Sequence, residues 1–433
     1  MKNAMKPLAV MLLLLAADLF LWTARAAAIP AFARRYETAC TTCHVVPPKL
    51  NAFGVAFRNS GYRISADDEK FIKQPDVPLG APGWKKIWPK NVWPGAIPDR
   101  VPLSVAVEMV TDINPSDPVK LNFAFPEEVE LLAGGTLGDR LSFFSDLAFE
   151  FGDGTEVGLE RGHINFQLSE SHVANLKIGL METGATPFSR FSNRLTDADY
   201  ITSDFRARDG GFRFRARQQG LELWGARNGP AAGGFQYSAG IVNGTGDGSD
   251  NNSQKDVYGS ASYKFGGYGV TGPAGTAGVD TLKMTDNFID NSVEIGVFGY
   301  QGWTGEADEE KDDFNRVGVK LNAYIDRLNV YGTYVRGRDN LPSGVSLSSN
   351  AWFVEADVVT LPWIVGTVRY DQATGDDSTF LHVKRVIPAI SMMIRANVIL
   401  KAEGHIYVGG EKNSVLNGDV AHNKAAVRLA FLF

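Results

Sequence analysis

Cysteine is almost missing from this chain: two occur in 433 residues, Cys40 and Cys43. At most one intrachain disulfide is therefore available. Long hydrophobic runs are also missing. After residue 30 no stretch of about 18 apolar residues appears, which excludes a transmembrane helix from the remainder. Basic excess is absent too, since the formal charge is -6, and that argues against nucleic acid as a partner. A βαβ pattern, the setting of a thioredoxin-like redox pair, is not present around the two cysteines.

The cysteines stand in Cys40-Thr41-Thr42-Cys43-His44, the C-x-x-C-H spacing of covalent haem attachment. Two thiols at that spacing add across the two vinyl groups of one haem, and the adjacent His44 is then held under the iron as proximal ligand. A disulfide or a dithiol redox pair is the competing reading, and neither gives His44 a role. The expectation is one covalent haem c on Cys40, Cys43 and His44, with His44 as the metal ligand.

The first residues suggest export. Lys2 and Lys6 form a positive start, Leu8 to Trp22 an apolar core interrupted by Asp18, and Ala26-Ala27-Ala28 a small-residue cleavage site. Residues 1–28 therefore read as a signal peptide. Haem is ligated to apocytochrome outside the cytoplasm, so export and the attachment motif agree, and both point to a bacterial envelope.

Glycine (46 residues) and aromatics (11%) are plentiful, and they accompany short segments of alternating polarity. At the end of the chain Val427, Leu429, Phe431 and Phe433 share one face and Arg428 lies on the other. Leu400, Ala402, Gly404, Ile406 and Val408 alternate with Lys401, Glu403, His405 and Tyr407. The same period puts Glu355 and Asp357 on one face of 352–358, and Lys320 and Asn322 on one face of 317–323. Short connections at 326–327, 361–362 and 395–397 alternate with long polar ones near 301–313, 337–350, 372–382 and 410–423. Alternating strands, short turns on one side and long loops on the other are the signature of an outer-membrane barrel. The fold class is thus all-β: a transmembrane antiparallel β-barrel of about 16 strands over 103–433. Expected strands fall near 103–110, 128–137, 140–151, 157–168, 173–182, 210–225, 233–243, 255–266, 292–301, 314–325, 327–336, 351–360, 363–371, 383–394, 398–409 and 424–433. The 266–290 connection is long for a periplasmic turn.

Residues 29–75 are too few for an ordinary free-standing domain. The spacing of Leu50, Phe53 and Phe57 predicts a small helix against the haem, and 76–102, rich in Pro and Trp (Trp84, Trp88, Trp93), reads as a linker or wedge. Ala31-Phe32-Ala33-Arg34, Cys40 to His44, Pro48-Lys49-Leu50-Asn51, Phe53-Gly54, Phe57-Arg58 and Gly61-Tyr62, followed by a porin-like remainder, resemble the fused monohaem cytochrome-porins of the outer-membrane iron-oxidising type. The resemblance implies a haem that accepts electrons from an extracellular donor, commonly Fe(II), and passes them to a periplasmic cytochrome or other carrier, in a barrel bathed by outer-membrane lipid.

The distal iron position stays open at this level. His163, His405 and Met181 fall on lumen faces, and a lysine, water or an empty site compete with them. Acidic groups crowd one external loop (Glu306, Asp308, Glu309, Glu310, Asp312, Asp313) and line the lumen (Glu128, Glu130, Asp146, Glu150, Glu355, Asp357, Glu403), where they would concentrate cations. Two function classes remain, an electron-transfer protein oxidising an extracellular donor and a diffusion porin with an accessory or structural haem, and a variant of the first serves another donor or acceptor or runs in the reverse direction.

Overall fold

The computed structural model describes residues 31–433 except 65–67, 75, 79–85, 87–95, 98–100, 153, 215–216, 274–281, 283–285 and 306–311. The expected signal peptide and the three tryptophans of 76–102 lie outside the described residues.

Sixteen antiparallel strands close into a barrel. In chain order they are β1 Leu103–Ile113, β2 Leu121–Leu137, β3 Leu141–Phe151, β4 Thr155–Gln167, β5 Asn175–Glu182, β6 Arg217–Asn228, β7 Gly233–Val242, β8 Asp256–Gly266, β9 Asp290–Thr304, β10 Asp312–Asp326, β11 Leu328–Asn340, β12 Ser346–Leu361, β13 Ile364–Gly375, β14 His382–Arg395, β15 Val398–Tyr407 and β16 Lys424–Leu432. Every strand pairs with its sequence neighbour, and β16 closes on β1 with Arg428 opposite Val110 and Phe431 opposite Val107. Closure leaves no free sheet edge, which is what a strand-built wall needs in lipid.

The period-2 patterns resolve as expected. Val317, Val319 and Leu321 on β10 point outward and are exposed, as are Val293, Ile295 and Val297 on β9, whereas Glu355 and Asp357 on β12 are buried inside. An outer apolar belt around an inner polar face places the barrel in a membrane, and a closed antiparallel barrel with short turns at one rim is an outer-membrane structure.

Two stretches depart from the expected strands. β2 begins at Leu121, not near 128: Pro126 and the Glu127-Glu128 pair break its alternation, and the β1–β2 register shifts between Glu108 and Val110. The expected strand at 210–225 begins only at Arg217. Phe212 and Phe214 have strand-like spacing, yet they are buried in the lumen, Phe212 stacked on Phe314 with ring centroids 4.2 Å apart.

That stretch belongs to the long third external connection, of which residues 183–214 fold into the barrel. Its Tyr200 hydroxyl bonds that of Tyr331 on β11 at 2.8 Å, and Arg369 on β13 donates to the Ala198 and Asp199 carbonyls at 2.9 and 3.0 Å. Phe188, Ile201 and Phe205 add a buried apolar cluster there.

The described residues of 31–72 enter from the opposite rim. Helix α1, Ala31–Tyr36, lies against β2, and helix α2, Ala52–Asn59, follows a small hairpin of His44–Val46 with Lys49–Leu50. The N-terminal segment is tied to the barrel at its periplasmic end: the Ala31 amide bonds Ser104 Oγ at 2.7 Å, and Arg63 donates to Gly138 and Leu141 carbonyls in the β2–β3 turn. The long 267–289 connection explains itself here, since Tyr268 packs on Phe53 and Asn287 Nδ2 bonds the Thr42 carbonyl at 3.1 Å.

Candidate functional site

Cys40–Thr42 forms one 3-10 turn, and Cys43 closes it through its amide to the Cys40 carbonyl at 3.2 Å. A single asparagine fastens this turn to α2. Asn51 Nδ2 donates to the Thr41 and Thr42 carbonyls, both at 3.1 Å, while its Oδ1 accepts from the Gly54 amide at 2.9 Å as the helix N-cap. Gly54 lets the helix come this close. A Cβ there would lie 2.1 Å from the Cys43 carbonyl oxygen.

Both cysteines are free thiols, so the disulfide alternative does not describe this structure. Burial pushes the Cys43 thiol up to about 12, which makes it a poor thiolate and a poor redox nucleophile. Burial likewise pulls the His44 imidazole down to about 4, so it stays neutral at neutral pH and able to ligate a metal. His44 Nδ1 lies 3.2 Å from the Pro48 carbonyl, a contact that orients the ring and leaves Nε2 for a ligand.

Cys40, Cys43 and His44 face a cavity of about 740 Å3. Phe32, Tyr36, Phe53, Phe57 and Tyr62 line it too, and these five rings interlock with centroids 5.0 to 6.5 Å apart. The volume suits an organic cofactor. Opposite the aromatic side, the inner wall of β1–β3, β15 and β16 and the stretch 190–199 of the third external connection complete the enclosure.

That wall is charged. Glu108, Glu128 and Glu150 stand directly opposite one another across β1, β2 and β3, and all three line the cavity, as does Glu130. Arginines face them. Arg428 pairs with Glu108, Glu127 and Asp197, Arg161 with Asp146, Arg190 with Glu160 at 3.0 Å and Arg194 with Asp199.

Other expected site residues fall elsewhere. His163, His405 and Met181 are inside the barrel but do not line the cavity: His163 sits behind Phe144, His405 Nε2 is 2.6 Å from Glu403 Oε1, and Met181 is packed in the cluster of the third external connection. Among the described residues that line the cavity, His44 is the one histidine, Lys401 the one lysine, and methionine is absent. Several lumen carboxylates expected to attract cations are already neutralised, Glu355 by Arg369, Asp357 by Lys49 and Asp146 by Arg161. Glu306, Asp308, Glu309 and Glu310 lie outside the described residues. Asp312 is paired with Arg208, and Asp313 accepts from Asn340 Nδ2 at 2.8 Å.

Sequence reasoning missed Lys49. It leaves the N-terminal segment, enters the barrel wall and is buried against Asp357 of β12 and Asn329 Oδ1 of β11, the latter at 2.7 Å. No periodicity marks a lysine as buried, because its partners are some 300 positions away.

No family model and no curated protein matches the chain. Solved structures do resemble it. An anion-selective porin from Comamonas acidovorans superposes with a TM-score of 0.54 at 11% identity, covering 77% of this chain and 99% of that one. OmpT of Vibrio cholerae, in its trimer form, gives 0.50 at 12% identity with 77% and 99% covered. OmpF of Salmonella typhi, in complex with daunomycin, gives 0.50 at 11% identity with 76% and 97% covered. At these identities the likeness is one of fold: this chain has a porin-like barrel.

Proposed function

We propose that this barrel is an outer-membrane electron-transfer protein, carrying one covalent haem c on Cys40 and Cys43 with His44 as proximal ligand. The observation that supports it most is the cavity beside the C-x-x-C-H turn, aromatic on one side, with His44 as its imidazole and both thiols facing in. The residues fit the group: two free thiols at the required spacing, a neutral imidazole, and flat apolar surfaces from Phe32, Phe53 and Phe57.

When bound, the haem supplies a one-electron couple, taking an electron from an external donor such as Fe(II), which becomes Fe(III), and handing it to a periplasmic carrier. The chain does the rest. Asn51 and Gly54 hold the attachment turn on α2, His44 is oriented by the Pro48 carbonyl, and the aromatic rings exclude water. Glu128, Glu130 and Glu150, which have no ion-pair partner among the described residues, put hard carboxyl oxygens on the cavity wall, where a cation could bind.

A diffusion porin with a structural haem is the second reading, favoured by the fold likeness to porins. The filled lumen weighs against it, because 183–214 and the described residues of 31–72 occupy the barrel from its two ends. Anaerobic stopped-flow mixing of oxidised holoprotein with Fe(II) tests the proposal. The haem should be reduced, and His44→Ala should abolish this. A wild-type haem that stays oxidised at excess Fe(II), from acidic to neutral pH, would leave the porin or another donor.

A further inference from the structure

Of the six cations that line the cavity, two touch no carboxylate among the described residues. Arg161, Arg190, Arg194 and Arg428 each have a carboxylate partner. Arg58, on α2, donates from Nη1 to the neutral Ser192 Oγ at 2.9 Å and has no ion pair among the described residues. Lys401, on β15, has neither hydrogen bond nor ion pair among the described residues, and it stands directly across from another cation, Arg428, in the β15–β16 ladder. An ammonium set in a wall without a partner is costly unless something absent satisfies it.

Both cations lie beside one stretch of the third external connection. Arg58 touches Ser192, and Arg194 and Asp197 are among the charges that act on Lys401. They approach the cavity from different elements, one from the N-terminal helix and one from the barrel, so they flank it rather than cluster. A pair of anionic groups held between them inside the cavity would give each a partner at contact.

Resting on the haem reading above, we propose that Arg58 and Lys401 are the counter-cations of the two haem propionates. Thioether attachment consumes the vinyl groups and leaves two carboxylates on the opposite edge of the macrocycle, one for each of these two cations. On this reading the thioether edge would be held at Cys40 and Cys43, and Arg58 and Lys401 would hold the propionate edge, beside residues 192–197. Arg58 suits this role because a guanidinium binds a carboxylate through two parallel donors. Lys401 supplies a point charge from the wall, so the propionates would bridge the N-terminal segment to the barrel.

The test is the midpoint potential of holoprotein variants already shown to be loaded by haem staining on denaturing gels. Neutralising a cation beside the haem favours the oxidised form. Arg58→Gln and Lys401→Gln should each lower the potential, changing the oxidised-to-reduced ratio at a fixed potential about tenfold, or 59 mV for one electron. The double variant should also acquire a pH-dependent potential as the unpaired propionates titrate. Arg58→Lys and Lys401→Arg keep the charge and should restore most of the wild-type value, which separates pairing from misfolding. Potentials unchanged in both glutamine variants would overturn the proposal. So would a change in the spin-state bands of Lys401→Gln alone, since that makes Lys401 the distal iron ligand. A wild-type chain that takes up no haem defeats the parent reading instead.

Discussion

Asn51 is the residue on which the attachment turn depends most directly, because one side chain satisfies two carbonyls of the turn and one amide of the helix. Asn51→Ala removes all three bonds and leaves Thr41 and Thr42 carbonyls short of a donor, which costs about 1 to 3 kcal/mol. A lower melting temperature of the N-terminal segment and poorer haem loading are expected, read by calorimetry and by haem stain per mole of protein. Gly54→Val should be worse, since its Cβ would overlap the Cys43 carbonyl. The cysteine pair gives a simpler outcome: haem-peroxidase staining at the mass of the chain should be present in wild type and lost in Cys40→Ala with Cys43→Ala. An unstained wild type, made with the maturation machinery present, would remove the cofactor from the account.

At the scale of elements, the strands were legible because a half-lipid, half-lumen environment imposes a period of two. Lys320 and Asn322, Glu355 and Asp357, and Glu403 and His405 all face inward as their alternation indicates. The failures have physical causes. Pro126 and adjacent glutamates disguise the start of β2, and Phe212 and Phe214 satisfy a strand pattern while packing on Tyr300 and Phe314 inside the barrel. The site was legible only as far as local spacing reaches. Cys40, Cys43 and His44 were readable from five consecutive residues, whereas Lys49 on Asp357 and the arginines on the cavity wall depend on contacts between distant elements. His163, His405 and Met181 share the lumen with the cavity, and parity gives the face of a strand but not the height along it. The Lys49 pair yields an element-scale prediction. Lys49→Met leaves Asp357 buried without its cation, a loss of about 3 to 5 kcal/mol in the docking of the N-terminal segment. Limited proteolysis should then cut within 31–72 faster than in wild type, while Lys49→Met with Asp357→Leu should recover part of the protection.

For the whole molecule, the barrel and its contents make opposite demands on function. A wall of sixteen strands suits a water-filled channel, yet two segments of the same chain occupy the lumen. The expected outcome in planar bilayers is therefore a conductance well below that of an open 16-stranded porin. Deletion of residues 31–72 should raise it. Wild-type conductance equal to that of an open porin would mean that solutes pass around both segments. Membrane fractionation should recover the chain with the outer membrane, and its gel mobility should change on heating.

The closed ring formed by β16 on β1 also sets a timetable. Cys40 and Cys43 are half-buried and line a cavity walled by α2, the barrel and 190–199, so a protein the size of a ligation enzyme meets them unobstructed only while the N-terminal segment is outside the barrel. With haem as the cofactor proposed above, maturation is expected to come before barrel closure, and a chain that closes empty is expected to stay empty. Inserted apoprotein given haem and ligation machinery afterwards should stay unstained, while the unfolded precursor given the same treatment should not. The cell would then have to hold the finished N-terminal segment in the periplasm while the strands assemble around it.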